Sequence, residues 1–306
     1  MKILVIGAGG VGGYFGARLA EAGNEVTFVA RGRHREAMAA DGLRVLSQRG
    51  DLHLPIVSVV DTPSRADQAD IVLVCTKLWD LRGALEASRP VVGPQTGVIA
   101  LQNGIDKDAV AIEVLGREAV MGGTAHIAAK IEKPGVIRHT GTMAKLIYGE
   151  LDGRSSSRLE TFDLAVKSAE GMRATRSDDV RLEIWKKFTF LAPFAGITCH
   201  ARSPIGPIRE DPDLRRVLET LVFEACAVGR AAGAPLDAER ESQVMEAMDA
   251  LPAEMKSSML HDLEAGNRLE LDWLTGAVVR LGREHGVPTP QSAAVYDALA
   301  PFKDGS

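Results

Sequence analysis

Residues 3–12 read Ile-Leu-Val-Ile-Gly-Ala-Gly-Gly-Val-Gly, and no other stretch constrains the fold as strongly. An apolar run of strand length leads into Gly7-Ala8-Gly9-Gly10-Val11-Gly12, which fits G-x-G-x-x-G, and an apolar helical pattern follows through Leu19 and Ala20. Glycines at these places permit a tight turn and let amides at a helix amino terminus approach a pyrophosphate. Glycine-rich turns are common, so it is the strand before and the helix after that give the motif weight; FAD is the main competing ligand. The rhythm recurs. Residues 26–29, 71–75 and 98–101 look like buried parallel strands separated by helix-length segments, which predicts a doubly wound, Rossmann-like α/β sheet.

The pattern then changes twice. Residues 126–131 and 136–139 flank Pro134-Gly135 as a hairpin and 146–148 adds a short strand, so antiparallel strands are expected to extend or cap the sheet edge. From Asp178 onward strand signals give way to long helical stretches. Asp178 or Asp179 is the expected cap of a helix over 180–190, Leu182, Trp185, Phe188 and Thr189 form one face of it, and Pro193 and Gly196 kink or end it. A length of 306 residues supports two domains with separate cores, expected over 1–174 (Rossmann-like) and 175–306 (all-helical).

Composition narrows the partners. A net charge of -5 gives no basic surplus for nucleic acid or anionic lipid, so a small-molecule partner is expected, with a homodimer left open. Cys75, Cys199 and Cys226 are scattered and odd in number, which fits neither a disulfide framework nor a zinc site; they read as buried thiols in a reducing compartment, and no metal is expected. No uncharged apolar run reaches the roughly 18 residues of a membrane span, and Met1 runs straight into the first strand, so a cytoplasmic protein is expected.

The end of the second strand discriminates between cofactors. NAD sites usually carry Asp or Glu there for the ribose 2'-hydroxyl, whereas this chain has Ala30-Arg31. A carboxylate would repel a 2'-phosphate and a guanidinium would clasp it, with Arg33, His34 and Arg35 thickening the positive patch; a solvated basic turn is the plainer alternative. Asn103, after strand 98–101, stands at the carboxyl edge where open sheets bind ligands, although Asn-Gly is equally a common turn.

Together these features resemble the ketopantoate reductases (2-dehydropantoate 2-reductases). The resemblance rests on the glycine loop with Arg31, Lys77 after 72–76, Gln102-Asn103-Gly104, Glu183-Ile184-Trp185-Lys186-Lys187, Ser257-Ser258-Met259-Leu260 with Asp262, Arg268-Leu269-Glu270-Leu271-Asp272 and Gly286-Val287-Pro288-Thr289-Pro290. It implies NADPH-dependent reduction of a 2-oxo acid to a 2-hydroxy acid. Hydride delivery leaves charge on the carbonyl oxygen, so a proton donor is needed there. The resemblance gives that role to Lys187, oriented by Glu270, with Asn103 donating to the substrate oxygen. It gives Lys77 a place near the cofactor ribose and nicotinamide, and Ser258 the substrate carboxylate. Solvated helix-face charges for Lys187, Glu270 and Lys77, and a helix cap for Ser258, are the structural alternatives.

One departure stands out. The family commonly carries Lys-x-x-x-Asn-x-x-x-Asn on one helix face, and here the two asparagine positions are Leu191 and Ala195, with Phe190 and Phe194 adding bulk. Losing two amides removes hydrogen-bond partners for a substrate hydroxyl, a cost of about 1 to 3 kcal/mol. A 2-hydroxy-acid dehydrogenase for apolar or aromatic tails is therefore the first alternative, and a non-catalytic NADP-binding sensor the second; a sensor would need only the nucleotide loop, not Lys187, Asn103, Ser258 and Glu270 together.

Overall fold

The computed structural model describes residues 1–305. They form two compact units, Met1–Gln102 with Asp106–Val180, and Asn103–Ile105 with Arg181–Ser306.

The first unit is built on a 10-stranded sheet. Its strands are β1 (Lys2–Ile6), β2 (Glu25–Val29), β3 (Leu43–Leu46), β4 (Leu52–Leu54), β5 (Ser58–Val60), β6 (Ala69–Val74), β7 (Val92–Ala100), β8 (Val120–Lys133), β9 (Val136–Glu150) and β10 (Arg173–Arg176). The order is β4-β3-β9-β8-β7-β6-β1-β2-β5, with β10 also pairing β9. Strands β5, β2, β1, β6, β7 and β8 run parallel, as strands buried on both faces do: β1 reads Lys-Ile-Leu-Val-Ile and only Lys2 is exposed. Its helices are α1 (Gly10–Glu21), α2 (Gly32–Asp41), α3 (Leu78–Ser88), α4 (Lys107–Leu115) and α5 (Ser157–Lys167). Tyr14, Phe15 and Leu19 of α1 are fully buried and belong to the sheet's core with Phe28 and Ile137.

The hairpin at Pro134-Gly135 forms between β8 and β9; among the described residues the other antiparallel pair is β3 with β4. Two expectations are corrected. Residues 146–148 are not a separate strand but part of β9, which pairs with β8 from Met121↔Glu150 to Lys133↔Val136 with register shifts between Ile127 and Ala129 and between Ile131 and Lys133. Nor is this pair at the edge, because β3 and β10 both add to β9 in parallel. That same pairing moves the domain boundary: a division at 174/175 would cut β10, so the first unit runs on to Val180.

In the second unit the described residues form no strand. Its helices are α6 (Val180–Ala201, whose first residue is counted with the first unit), α7 (Ile205–Glu210), α8 (Pro212–Ala231), α9 (Arg240–Asp249), α10 (Ser258–Glu264), α11 (Thr275–His285) and α12 (Pro290–Leu299). Neither Pro193 nor Gly196 ends α6. Proline in a helix interior costs about 3 kcal/mol, but burial of Ala192, Phe194, Ala195 and Ile197 on both sides of it outweighs that loss. Trp185 and Phe188 pack edge to face with ring centroids 5.6 Å apart. A buried carboxylate ties the bundle together: Glu224 of α8 accepts the Gln291 and Ser292 N–H groups at 2.8 and 2.7 Å, supplying charge at the amino end of α12. No described helix is long and apolar enough to cross a membrane.

Candidate active site

In the first unit the glycine loop joins β1 to α1. Gly7 has φ +94°, a conformation that strains any L side chain, and a Cβ there would crowd the backbone of Cys75 and Thr76. A Cβ on Gly10 would overlap the carbonyl of Ala129, and one on Gly12 the carbonyl of Gly7. Gly9 is different: nothing lies within 4 Å of the place a Cβ would take. It stands at the amino cap of α1, two residues before Val11, and no side chain caps the helix there. A cradle closed beneath and open above is what a pyrophosphate requires.

Arg31 follows β2 by two residues and is the amino-cap residue of α2, with its side chain exposed. Arg33 is exposed beside it. His34 does not join this positive patch. Its Nε2 lies 2.8 Å from the carbonyl oxygen of Ala8 and its Nδ1 accepts the Gly135 N–H at 3.1 Å, and burial lowers its pKa, so the ring is neutral. Lys77 caps α3 beyond the carboxyl end of β6, is exposed, and lies 5.6 Å from the ring centre of Trp79. Gln102 is buried and donates to the carbonyl of Val74 at 3.1 Å, fixing the carboxyl edge between β6 and β7.

In the second unit three of the expected residues are joined. Lys187 Nζ donates to Asn103 Oδ1 at 2.8 Å, and Asn103 Nδ2 donates to Glu270 Oε2 at 3.0 Å. Glu270 is only 5% exposed, because Leu269 and Leu271 on either side are buried in the helical core. Lys187 is half-buried on α6 between buried Trp185 and Phe188. By helix period, Leu191 and Ala195, each four residues further on, share the face of Lys187.

Leu191 lies half-buried at the margin of the core, whereas Ala195 is inside it at 1% exposure. Ser258 is exposed at the first position of α10, and the capping role belongs to its neighbour: Ser257 accepts the Leu260 N–H at 3.0 Å and is bonded to Thr198 at 2.7 Å. Asp272, from the same motif as Glu270, receives the Tyr296 hydroxyl at 2.6 Å and Lys303 at 3.2 Å, which is an architectural use.

Sequence reasoning passed over Arg240. From α9 it donates to the Lys186 carbonyl and, at 3.0 Å, to Thr189 Oγ1, bracing the turn that carries Lys187. No local pattern marks it, since its partners lie more than 50 residues earlier. The three thiols are partly as expected: Cys199 and Cys226 are buried and Cys75 half-buried.

Known proteins agree with this architecture over the whole chain. The family model for ketopantoate reductase PanE/ApbA matches residues 3–153, and that for ketopantoate reductase PanE/ApbA C terminal matches 179–303. A 2-dehydropantoate 2-reductase of Halobacterium salinarum is 34% identical over 305 residues, 98% of each chain. The uncharacterized oxidoreductase YkpB of Bacillus subtilis is 32% identical over 305 residues, 99% of each. The crystal structure of a PanE/ApbA family ketopantoate reductase from Ralstonia eutropha superposes with a TM-score of 0.90 at 30% identity, covering 99% of this chain and 98% of that one. With both halves matched in order and relatives above 30% identity end to end, the chain belongs to the ketopantoate reductase family and is an oxidoreductase acting on a CH–OH group.

Proposed function

We propose that this protein reduces a 2-oxo acid to the corresponding 2-hydroxy acid with NADPH, the first unit holding the cofactor and the second supplying the proton. The observation that carries the proposal is the bonded series Lys187–Asn103–Glu270. A nicotinamide cofactor follows from the family, and the bound cofactor supplies the hydride. The choice of NADPH rests on Arg31, which stands where a 2'-hydroxyl site would carry a carboxylate.

Each residue then has a task. Lys187 carries three donors on Nζ, one of them directed to Asn103 at 2.8 Å, and its ammonium is the group that meets the carbonyl oxygen. As charge develops on that oxygen the ammonium stabilises it and then protonates it. Asn103 fixes the direction of the ammonium, and Glu270 fixes the amide of Asn103 through a buried carboxylate oxygen. Ser258, exposed at the start of α10, binds the substrate carboxylate.

The substrate's tail is a separate matter. If it is ketopantoate, the reaction is the pantoate-forming step of pantothenate biosynthesis. Leu191, at the margin of the core, favours a second reading, in which the tail is apolar or aromatic, because it offers no partner to a tail hydroxyl. NADPH oxidation measured with ketopantoate and with branched and aromatic 2-oxo acids separates the two by the ratio of kcat/KM values. Oxidation with none of them would overturn the 2-oxo acid reading.

A further inference from the structure

We propose that His34 is a positioning residue of the dinucleotide site, an uncharged strut that sets the glycine loop and Arg31 in a fixed relation. The inference rests on the nucleotide-site assignment above and adds a residue that acts through the backbone of the loop, at the Ala8 carbonyl.

The strut joins three segments. Ala8 lies between the first two glycines of the loop, and its carbonyl oxygen is 2.8 Å from His34 Nε2. The other side of the loop is already tied, since the N–H groups of Gly7 and Ala8 both donate to the Val29 carbonyl at 3.1 Å. His34 itself sits in the first turn of α2, three residues after Arg31. Its second nitrogen takes the N–H of Gly135, the hairpin residue with φ +76°. That turn is anchored in its own right, because the Gly135 carbonyl accepts the Arg44 N–H at 2.9 Å. The same hairpin meets the loop again where Gly10 lies against Ala129.

The bonding fixes the protonation state. A carbonyl at Nε2 requires N–H there, and an N–H at Nδ1 requires a lone pair there, so only the neutral Nε2–H tautomer satisfies both. A bond at each end of a rigid ring leaves the loop and the first turn of α2 little freedom to move apart. The distance from the pyrophosphate amides to the Arg31 guanidinium is what a 2'-phosphate nucleotide must match. Loss of the strut should therefore weaken NADPH more than NADH.

The experiment is fluorescence titration of wild type, His34→Ala and His34→Gln with NADPH and NADH, together with kcat at saturating cofactor and Tm. For His34→Ala we expect the Kd for NADPH to rise by about tenfold, in line with the loss of two hydrogen bonds, with a smaller rise for NADH and kcat within about twofold. His34→Gln, whose amide again offers a donor and an acceptor, should recover part of the loss. Unchanged NADPH affinity in His34→Ala overturns the proposal. So does an equal loss for both nucleotides accompanied by a fall in Tm, which would make the residue merely stabilising. If the wild type itself binds NADH as tightly as NADPH, the cofactor assignment fails on its own; His34 is then judged on NADH, where undiminished binding by His34→Ala overturns the strut and weakened binding at unchanged Tm upholds its hold on the loop.

Discussion

Lys187 donates its ammonium proton to Asn103 at 2.8 Å although 84 residues separate them in sequence. The orientation of the amide is determined by what surrounds it: an oxygen toward the ammonium and a nitrogen toward the Glu270 carboxylate. Lys187→Ala should lower kcat by about a hundredfold or more while leaving the Kd for NADPH nearly unchanged. Asn103→Ala should fall between that variant and Glu270→Ala, which acts at one remove. Steady-state kinetics beside cofactor titration checks the order, and wild-type turnover in Lys187→Ala would refute the proton-donor role.

Arg31 is exposed at the amino cap of α2, so its replacement should alter binding without unfolding the sheet. The wild type should favour NADPH over NADH by at least about tenfold in kcat/KM, and Arg31→Asp should erase or reverse that ratio. Parallel assays with both nucleotides decide it; equal use of both by the wild type would refute it.

The pocket makes a sharper test. Leu191 lies at the core margin and Ala195 within the core. The wild type should show a higher KM for ketopantoate than for a 2-oxo acid of similar size with an apolar tail. Leu191→Asn should narrow the gap by up to the roughly 1 to 3 kcal/mol of an unpaired buried hydroxyl. Ala195→Asn should add little to it and should lower Tm, because its amide enters an apolar core. If ketopantoate is the best substrate of the wild type and Leu191→Asn changes nothing, other groups hold the hydroxyl.

Glu150 gives a pH prediction in the first unit. It is 6% exposed; burial acts to raise its pKa, but hydrogen bonds from Arg158 at 2.7 and 2.8 Å and from Ser156 at 2.6 Å prevail and hold it below the usual glutamate value. A carboxyl with a depressed folded pKa contributes stability that is fully present above its unfolded pKa, about 4.3, and is lost as pH falls through the folded value. Glu150→Gln should therefore lower Tm at neutral pH and make the decline of Tm below about pH 5 shallower than in the wild type. Thermal melts at several pH values would show it, and curves of parallel slope would count against the assignment.

How much of this was legible beforehand depended on range. β1, β2, β6 and β7 could be read from apolar runs bounded by turns, because strands buried on both faces carry their signal locally. β3, β4 and β5 could not: they are three or four residues long with exposed positions, β3 and β5 become strands by pairing with distant β9 and β2, and β4 pairs with β3. α6 continues through Pro193 for a similar reason, tertiary burial outweighing a local signal. The glycine loop and Arg31 were visible as a motif. His34 looked like one more member of a basic run, since nothing near it announces that Gly135 will arrive at its Nδ1.

The three-residue segment Asn103–Ile105, grouped with Arg181–Ser306 although the chain on both sides of it is not, governs how the gene can be taken apart. A piece beginning at 181 would carry Lys187 and Glu270 yet leave behind the amide that joins them. A chimaera with another member of the family, crossed over near 180, would bring each parent's lysine helix face to face with the other parent's asparagine loop. Only when residues 103–105 travel with the helices does a parent's own asparagine stay with its own lysine.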